Sequence, residues 1–177
     1  MLETVKRGCD HIFFIGFLGA GKSTLARNLG QMFHRRYVDT DRLVERKSGH
    51  TVTQLFARRG EAHFRALETE VLEGLRAERS LLVSCGGGIV ETPRNIQLMR
   101  ELGTTVYLDG DIDDSLRQIR RSDTRPDFRS PDYAAELLEH RRPLYVRAAD
   151  LTVDIRGKSF KDVSYSVAEL LLERGLL

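Results

Sequence analysis

The chain has 177 residues, 41% of them apolar, which suits a single domain with a buried core. Its 28 basic and 26 acidic residues leave a net charge of +2, so the overall charge favours neither nucleic acid nor a membrane surface as a partner. No run of about 18 apolar residues could cross a membrane, and Cys9 and Cys85 have neither metal-ligand nor disulfide-framework spacing, so we expect one cytoplasmic domain over residues 1–177.

Short apolar runs alternate with longer helical patterns along the chain, as in βαβ units built around a parallel sheet. We predict strands at Ile12–Ile15, Tyr37–Asp39, Leu81–Cys85, Thr105–Leu108 and Leu151–Asp154. We predict helices at Lys22–Phe33, Asp41–Lys47, Thr51–Arg59, Glu61–Arg79, Pro93–Leu102, Asp111–Arg121, Asp132–Ala148 and Ser159–Arg174. This pattern predicts an α/β fold of three layers, with a five-stranded parallel sheet between two layers of helices.

A phosphate-binding loop connects the first strand to the first helix. Residues Gly16 to Thr24 read G-F-L-G-A-G-K-S-T and fit the pattern G-x-x-x-x-G-K-S/T. Glycines let the backbone wrap round phosphate oxygens, and the helix N-terminus adds a positive dipole. Lys22 can then reach the β and γ phosphates and Ser23 can ligate Mg²⁺. We therefore expect a nucleoside triphosphate to be bound by Gly19, Ala20, Gly21, Lys22, Ser23 and Thr24; the alternative is a glycine-rich turn that binds nothing.

Two carboxylates, Asp39 and Asp41, follow the second strand, at the edge where open α/β sheets bind ligands. One can hold Mg²⁺ through water, and the other can accept a proton from a hydroxyl group that attacks the γ-phosphate. The alternative is structural: Asp41 caps the next helix and Asp39 pairs with an arginine. The helices predicted within residues 40–79 exceed what a crossover needs, and we interpret this segment as a platform for substrate.

Three consecutive glycines, Gly86 to Gly88, follow the third strand. Their cost in backbone entropy indicates a purpose, because a backbone without side chains can approach a small polar ligand closely. The alternative is a loose turn. Ser84 can steady a magnesium-bound water, and we expect Cys85 to be a buried residue at the end of the strand rather than a nucleophile, since no partner base is indicated.

The segment Ser122–Pro131 is too polar for the core, and we predict that it is a mobile lid that excludes water from a reaction. Arg125 lies in this lid, Arg65 lies in the platform, and Arg141 begins the run R-R-P-L-Y. Each of these arginines could clamp a carboxylate or a phosphate, although most arginines lie on solvated helix faces.

In this order the motifs resemble those of the shikimate kinase family, over residues 10–172. They are the phosphate loop, D-T-D at residues 39–41, G-E-A-H-F-R-A-L-E at 60–68, G-G-G at 86–88, R-P at 125–126 and R-R-P-L-Y at 141–145. The resemblance implies a P-loop kinase fold of the nucleoside monophosphate kinase type, with a substrate-binding insert and a mobile lid. It also implies ATP-dependent phosphorylation of the 3-hydroxyl of shikimate, with Mg²⁺ as cofactor, and we expect a monomer.

The resemblance further implies a role for each matched residue. Shikimate would be bound, with two arginines on its carboxylate, by Asp41, Arg65, Gly86, Gly87, Gly88 and Arg141. Asp41 would act as base or orient the attacking hydroxyl, while Lys22 and Arg125 would neutralise charge on the transferring phosphoryl group. Ser23 would ligate Mg²⁺ and Asp39 would hold a metal-bound water. The pocket would be shaped or braced by Phe56, Phe64 and Glu68.

The lid departs from the family pattern, because Asp127-Phe128 follows Arg125-Pro126 where family members usually have apolar residues. A negative charge at Asp127 would lie near the path of the phosphate. This departure leaves open a related kinase for another hydroxylated acid or sugar, and also a non-catalytic homologue that binds ligand without transfer. For the adenine ring, the resemblance implies contacts from Arg120 or Arg121 and from the loop 156–160.

Overall fold

The computed structural model describes residues 8–119 and 130–177. Within these ranges one parallel sheet is formed by β1 (His11–Ile15), β2 (Tyr37–Asp39), β3 (Leu82–Ser84), β4 (Gly103–Asp109) and β5 (Leu151–Asp154). The strand order is β2-β3-β1-β4-β5. The chain leaves β1 toward one edge of the sheet and leaves β4 toward the other. The carboxyl ends of β1 and β4 therefore flank a topological switch point, where such sheets bind ligands.

Helices cover both faces of the sheet in the described part of the chain. They are α1 (Lys22–Met32), α2 (Thr40–Ser48), α3 (Val52–Arg59), α4 (Glu61–Gly74), α5 (Pro93–Leu102), α6 (Ile112–Ile119), α7 (Pro131–Ala148) and α8 (Phe160–Glu173). Successive residues of β1 point to opposite faces: Phe13 packs with α4, α5 and α7, whereas Phe14 packs with α1 and α8. The three-layer α/β architecture predicted from the sequence is confirmed.

Local signals set several of the helix boundaries. Thr51 and Gln54 form a reciprocal capping box at the start of α3. Pro93 occupies the first turn of α5, where its missing N–H costs nothing. Gly49 ends α2 with φ of 71°, a left-handed conformation that glycine adopts without strain. These boundaries agree with the predicted ones because the signals lie in adjacent residues.

The segment between β2 and β3 has a hydrophobic cluster of its own. Buried side chains from α2, α3 and α4 meet there: Val44, Leu55, Phe64 and Val71. This cluster makes the three helices one packed body at the carboxyl end of β2. The extra helices predicted for residues 40–79 are therefore present.

One predicted helix ends earlier than expected, at Gly74 instead of Arg79. A 3₁₀ turn over Leu75–Ala77 follows, in which Leu75 is buried. The ring of His11 hydrogen-bonds the carbonyl of Leu75 over 3.0 Å, and the backbone N–H of Ser80 donates to the carbonyl of Cys9. These long-range contacts turn the chain into β3, and helical propensity alone does not reveal them.

The predicted lid, Ser122–Pro131, lies outside the described residues except for its last two positions. Ser130 caps α7 through its side chain, and Pro131 is the first residue of that helix. The residues outside the described ranges that the sequence singles out are Arg120, Arg121, Arg125, Asp127 and Phe128. Across the described ranges, no helix combines the length and the apolar composition needed to cross a membrane.

Candidate active site

The phosphate-binding loop adopts the conformation that its glycines permit. Gly19 and Gly21 have φ of 77° and 81°, in the left-handed region that other residues avoid. No side chain caps the start of α1, and no acidic residue lies in its first turn. An anion can therefore approach the N-terminal N–H groups of this helix without a competing carboxylate from α1.

Lys22 lies under this loop. Its side chain is almost fully buried, and its Nζ donates to the carbonyl oxygens of Gly16 at 2.8 Å and Phe17 at 2.9 Å. These bonds hold the ammonium group against the loop backbone. A phosphate seated in the loop would meet a positive charge that is already in position.

The oxygens of Ser23, Asp39 and Ser84 form a cluster beside the loop. Ser23 Oγ donates to Asp39 Oδ2 at 2.7 Å and lies 2.9 Å from Ser84 Oγ. The other oxygen of Asp39, Oδ1, accepts from the backbone N–H groups of Asp41 and Arg42 and caps α2. The structural alternative for these carboxylates was therefore wrong: Asp39, not Asp41, caps the helix, because the helix begins at Thr40.

Each glycine of the triple run lies next to a different residue that is a candidate for binding the substrate. A Cβ on Gly86 would lie 2.5 Å from Asp41 Oδ1, and one on Gly87 would lie 3.5 Å from a terminal nitrogen of Arg141. A Cβ on Gly88 would overlap the guanidinium of Arg65. The backbone N–H of Gly86 also donates to Thr40 Oγ1 at 2.9 Å. The run is a tightly packed loop, and the alternative of a loose turn is wrong.

Arg65 is held by two carboxylates of its own helix. It donates to Glu61 at 3.1 Å and to Glu68 at 3.0 Å. Its burial disfavours the charged form, but Glu68 outweighs this effect and raises the pKa of Arg65 above its ordinary value. The guanidinium also lies 5.2 Å from the ring centroid of Phe64.

Glu68 is fully buried next to these groups. Burial raises its pKa to about 7, although Arg65 acts in the opposite direction, and the negative charge of Asp41 adds to the increase. Its Oε2 accepts from Arg65 and lies 3.5 Å from the amide nitrogen of Asn95. Glu68, which the resemblance implies shapes or braces the pocket, forms a direct ion pair with Arg65 in the structure.

Arg141 projects from α7 and is buried behind the triple glycine loop. Its Nε donates to Glu91 Oε1 at 2.8 Å, and the other oxygen of Glu91 lies 3.0 Å from His140 Nε2. One turn further along α7, the hydroxyl of Tyr145 donates to the carbonyl of Gly87 at 2.5 Å. Sequence reasoning missed Glu91 and His140, because a glutamate after a glycine run and a single histidine carry no recognisable pattern.

A single cleft of about 1560 Å³ joins these groups. Its phosphate end is lined by residues of the loop, including Gly19, Ala20, Gly21, Lys22, Ser23 and Thr24. Its other end is lined by residues of the platform and the glycine loop, namely Asp41, Phe56, Phe64, Arg65, Glu68, Gly86, Gly87 and Gly88. Arg141 lies next to this wall, behind Gly87, and Asp39 lies between the two ends.

A third part of the cleft lies beyond α1. It is lined by Arg117 of α6 and by Lys158 and Phe160 near the start of α8. The ring of Phe160 would be 3.8 Å from a Cβ on Gly21, so it adjoins the phosphate loop. Lys158 and Phe160 fall in the predicted adenine loop. Arg117 was not predicted as a site residue, because an arginine within a predicted helix is usually a solvated surface residue.

Cys85 is buried at the end of β3, and burial raises the pKa of its thiol well above the ordinary value. Its predicted structural position is confirmed. Among the described residues there is no group of three or more histidine, cysteine or acidic side chains placed to hold a metal ion. A metal in this cleft would therefore need oxygens from a bound ligand or water in addition to those of the protein.

Comparisons with known proteins agree with this geometry. A family model described as shikimate kinase matches residues 18–172. A shikimate kinase from Geobacter metallireducens is 38% identical over 163 residues, covering 90% of this chain and 89% of the relative. One from Dehalococcoides mccartyi (strain ATCC BAA-2100 / JCM 16839 / KCTC 5957 / BAV1) is 35% identical over 164 residues, covering 92% and 93%.

A solved structure shows the same architecture. It is the shikimate kinase from Acinetobacter baumannii in complex with shikimate, which is 30% identical and superposes with a TM-score of 0.88. The superposition covers 94% of this chain and 95% of that one. Sequence and structure together place this chain, with its P-loop kinase fold, in the shikimate kinase family.

Proposed function

We propose that this chain transfers the γ-phosphoryl group of ATP to the 3-hydroxyl of shikimate, giving shikimate 3-phosphate and ADP. The observation that carries the proposal is the single cleft, which has a phosphate loop at one end and Asp41, Arg65 and the glycine loop at the other. Two ligands in one cleft permit direct transfer between them. Membership of the shikimate kinase family supports this choice of acceptor.

Arg65 and Arg141 are the proposed clamp for the carboxylate of shikimate. Both guanidinium groups lie against the same glycine loop, Arg65 at Gly88 and Arg141 at Gly87. Arginine presents a planar fork that matches a carboxylate in a two-bond arrangement. Gly86, Gly87 and Gly88 would border the ring of the substrate, and Asp41 would accept hydrogen bonds from its hydroxyl groups.

The proposed transfer is an in-line displacement at the γ-phosphorus. The 3-hydroxyl oxygen forms a bond to this phosphorus, the bond to the bridging β,γ oxygen breaks, and ADP leaves with that electron pair. Asp41 takes the hydroxyl proton. Lys22 neutralises charge on the transferring group, and the same role is proposed for Arg125, which lies outside the described residues. A lid over residues 122–131 remains a prediction; it would keep water from competing with the acceptor.

Mg²⁺ is the proposed cofactor. The oxygen donors Ser23, Asp39 and Ser84 are mutually close, and hard oxygen donors suit this ion. Ser23 would ligate it, while Asp39 and Ser84 would hold metal-bound water. When bound, Mg²⁺ supplies positive charge to the phosphate oxygens.

For the nucleotide base, we propose a site between α6 and the start of α8. The cleft extends there, past Lys158 and Phe160. The ring of Phe160 offers a flat apolar surface beside the phosphate loop, which suits stacking with adenine. Contacts from Arg120 or Arg121 belong to the same proposal.

We also propose a monomer that acts in the cytoplasm without a nucleic-acid or membrane partner. The near balance of 28 basic and 26 acidic residues supports the absence of a polyanionic partner. Two free, buried cysteines suit a reducing compartment.

The test is an assay of ADP release with MgATP and one of three additions: shikimate, gluconate or no acceptor. We expect release with shikimate alone. Asp41→Asn should lower kcat by a factor of about 10² to 10⁴ with the fold intact, since the hydroxyl proton loses its acceptor. Asp132→Asn is the matched control, because Asp132 is also an acid in the first turn of a helix but is exposed on α7.

The possible outcomes separate the alternatives. Release with gluconate or another acceptor, and none with shikimate, would identify a related kinase for a different substrate. ATP binding without transfer to any acceptor would identify a non-catalytic homologue. Unchanged kcat in Asp41→Asn would refute the role of Asp41 as the base.

A further inference from the structure

Glu91 occupies a position between the glycine loop and α7. It ends a 3₁₀ turn, Ile89–Glu91, and its backbone N–H donates to the carbonyl of Gly88 at 3.0 Å. Its carboxylate bonds Arg141 through one oxygen and His140 through the other. One side chain thus connects the loop that borders the substrate to the helix that carries Arg141.

We propose that Glu91 is a positioning residue for shikimate binding: it fixes the guanidinium of Arg141 in the orientation that receives the substrate carboxylate. This inference rests on the proposed function, because it concerns the acceptor half of the same cleft. Under this inference, Glu91 does not contact the substrate itself but acts through Arg141.

The atoms involved explain why the contact sets an orientation. Glu91 Oε1 accepts from Nε of Arg141, which is the nitrogen within the side chain rather than one at its tip. A guanidinium is planar, so a bond at Nε and a fixed Cδ determine where both terminal nitrogens lie. Nη1 would lie 3.5 Å from a Cβ on Gly87, and Gly87 lines the cleft.

Burial makes this contact important. The side chain of Arg141 is only 3% exposed, so water does not supply an alternative acceptor at its surface. Partial burial by itself would raise the pKa of Glu91, but the hydrogen bonds from Arg141 and His140 lower it below its ordinary value. The carboxylate is therefore ionised at neutral pH and accepts a charge-assisted hydrogen bond, which is stronger than a neutral one.

Two further contacts keep the parts in register. His140 precedes Arg141 and holds the second oxygen of Glu91, which restricts rotation of the carboxylate. Tyr145, one turn beyond Arg141, fixes the carbonyl of Gly87. Helix α7 therefore contacts both ends of the Gly87–Glu91 segment, and Arg141 lies between His140 and Tyr145, the two residues that make these contacts.

The experiment compares Glu91→Ala and Glu91→Gln with the wild type. Steady-state kinetics should show a KM for shikimate raised about 10- to 100-fold in Glu91→Ala, the range for loss of a hydrogen bond to a charged group. Glu91→Gln keeps an acceptor oxygen and should recover part of the loss. The KM for ATP should stay unchanged, because the phosphate loop does not touch Glu91.

A second measurement does not depend on activity. In a ¹⁵N NMR spectrum of the arginine side chains, the Nε–Hε signal of Arg141, assigned with Arg141→Lys, should exchange slowly in the wild type. It should broaden or disappear in Glu91→Ala. Glu78→Gln is the matched control, since Glu78 also bonds an arginine through its carboxylate, but at the surface with Arg36.

Several results would overturn the inference. The first is an unchanged KM for shikimate in Glu91→Ala. The second is a lower KM for shikimate, which would make Glu91 a competitor of the substrate, and the third is an equal increase in the KM for shikimate and for ATP. Absence of shikimate turnover in the wild type would refute the proposed function instead. A protected Nε–Hε signal that persists in Glu91→Ala would refute the positioning contact itself, whatever the substrate.

Discussion

Glu68 is the residue whose ionisation the fold alters most clearly in a useful pH range. Its side chain is fully buried, and Oε1 has no hydrogen-bond partner among the described residues. Burial raises its pKa to about 7 from an ordinary value of 4.5. The carboxylate of Glu68 is costly to ionise at this buried position, yet it holds Arg65 in place. The arrangement therefore lowers the stability of the protein at high pH while it fixes the arginine.

This pKa predicts a pH-dependent stability. Between pH 4.5 and 7, Glu68 keeps its proton in the folded protein but loses it in the unfolded chain. The stability that protonated Glu68 contributes is therefore fully present below pH 4.5 and is lost as the pH rises through 7. The free energy of unfolding of the wild type should fall relative to that of Glu68→Gln by up to about 3 kcal/mol between pH 5 and pH 8. Urea unfolding of both proteins measures this difference.

Glu70→Gln is the control for that experiment. Glu70 lies on the same helix, but it is exposed and pairs with Lys47 at the surface over 2.9 Å. Glu70→Gln therefore supplies the baseline for removing a surface glutamate from this helix. A difference between the wild type and Glu68→Gln that stays constant with pH would contradict the raised pKa of Glu68.

At the scale of the element, the start of α2 combines a structural and a functional task. Asp39 caps the helix with one oxygen and meets Ser23 of the phosphate loop with the other. The helix begins at Thr40, which places Asp41 in the first turn, beside Gly86. A shift of the helix start by one residue would move Asp41 by about 100° around the helix and out of the cleft.

Substitutions of Asp39 should separate these two tasks. Asparagine caps helices as well as aspartate does, so Asp39→Asn should keep the stability of the wild type, whereas Asp39→Ala should lose about 1 kcal/mol. Both variants should need more Mg²⁺ for half-maximal ADP release, since both lack the carboxylate. Urea unfolding and MgCl₂ titrations of the assay measure the two effects. A wild-type Mg²⁺ requirement in Asp39→Asn would limit Asp39 to capping.

At the scale of the whole molecule, Arg35 joins three distant parts of the chain at the end of the sheet opposite the cleft. Its guanidinium donates to the backbone carbonyls of Asp10, Ser80 and Leu176. These carbonyls precede β1, precede β3 and follow α8. Burial lowers the pKa of Arg35, which reflects the cost of removing this charge from water.

Arg35→Ala should therefore destabilise the protein without altering its chemistry. We expect a loss of about 2 to 4 kcal/mol in the free energy of unfolding, because three partly buried carbonyls lose a donor. The KM values and kcat should be unchanged at temperatures where the variant is folded. Arg36→Ala, which removes only an exposed pair with Glu78, should cost less than about 1 kcal/mol. Equal losses in the two variants would contradict the assigned role of Arg35.

Much of the fold and of the candidate site could be predicted from the sequence. The phosphate loop, the strands and most helix boundaries depend on neighbouring residues, such as the capping box of Thr51 and Gln54. The end of α4 at Gly74 could not be predicted, because the contact between Leu75 and His11, which are 64 positions apart, contributes to it.

The α/β architecture, the phosphate loop and the residue types that could bind anions follow from the sequence, since short-range periodicity and spacing encode them. Which of these groups meet depends on how the chain packs: Asp39 meets Ser23, Glu68 meets Arg65, and Glu91 meets Arg141. The last pair is separated by 50 positions. Such contacts form because a buried charged group is stable only when it is paired, and the partner can come from any part of the packed chain. A local sequence pattern does not indicate a partner that lies so far along the chain.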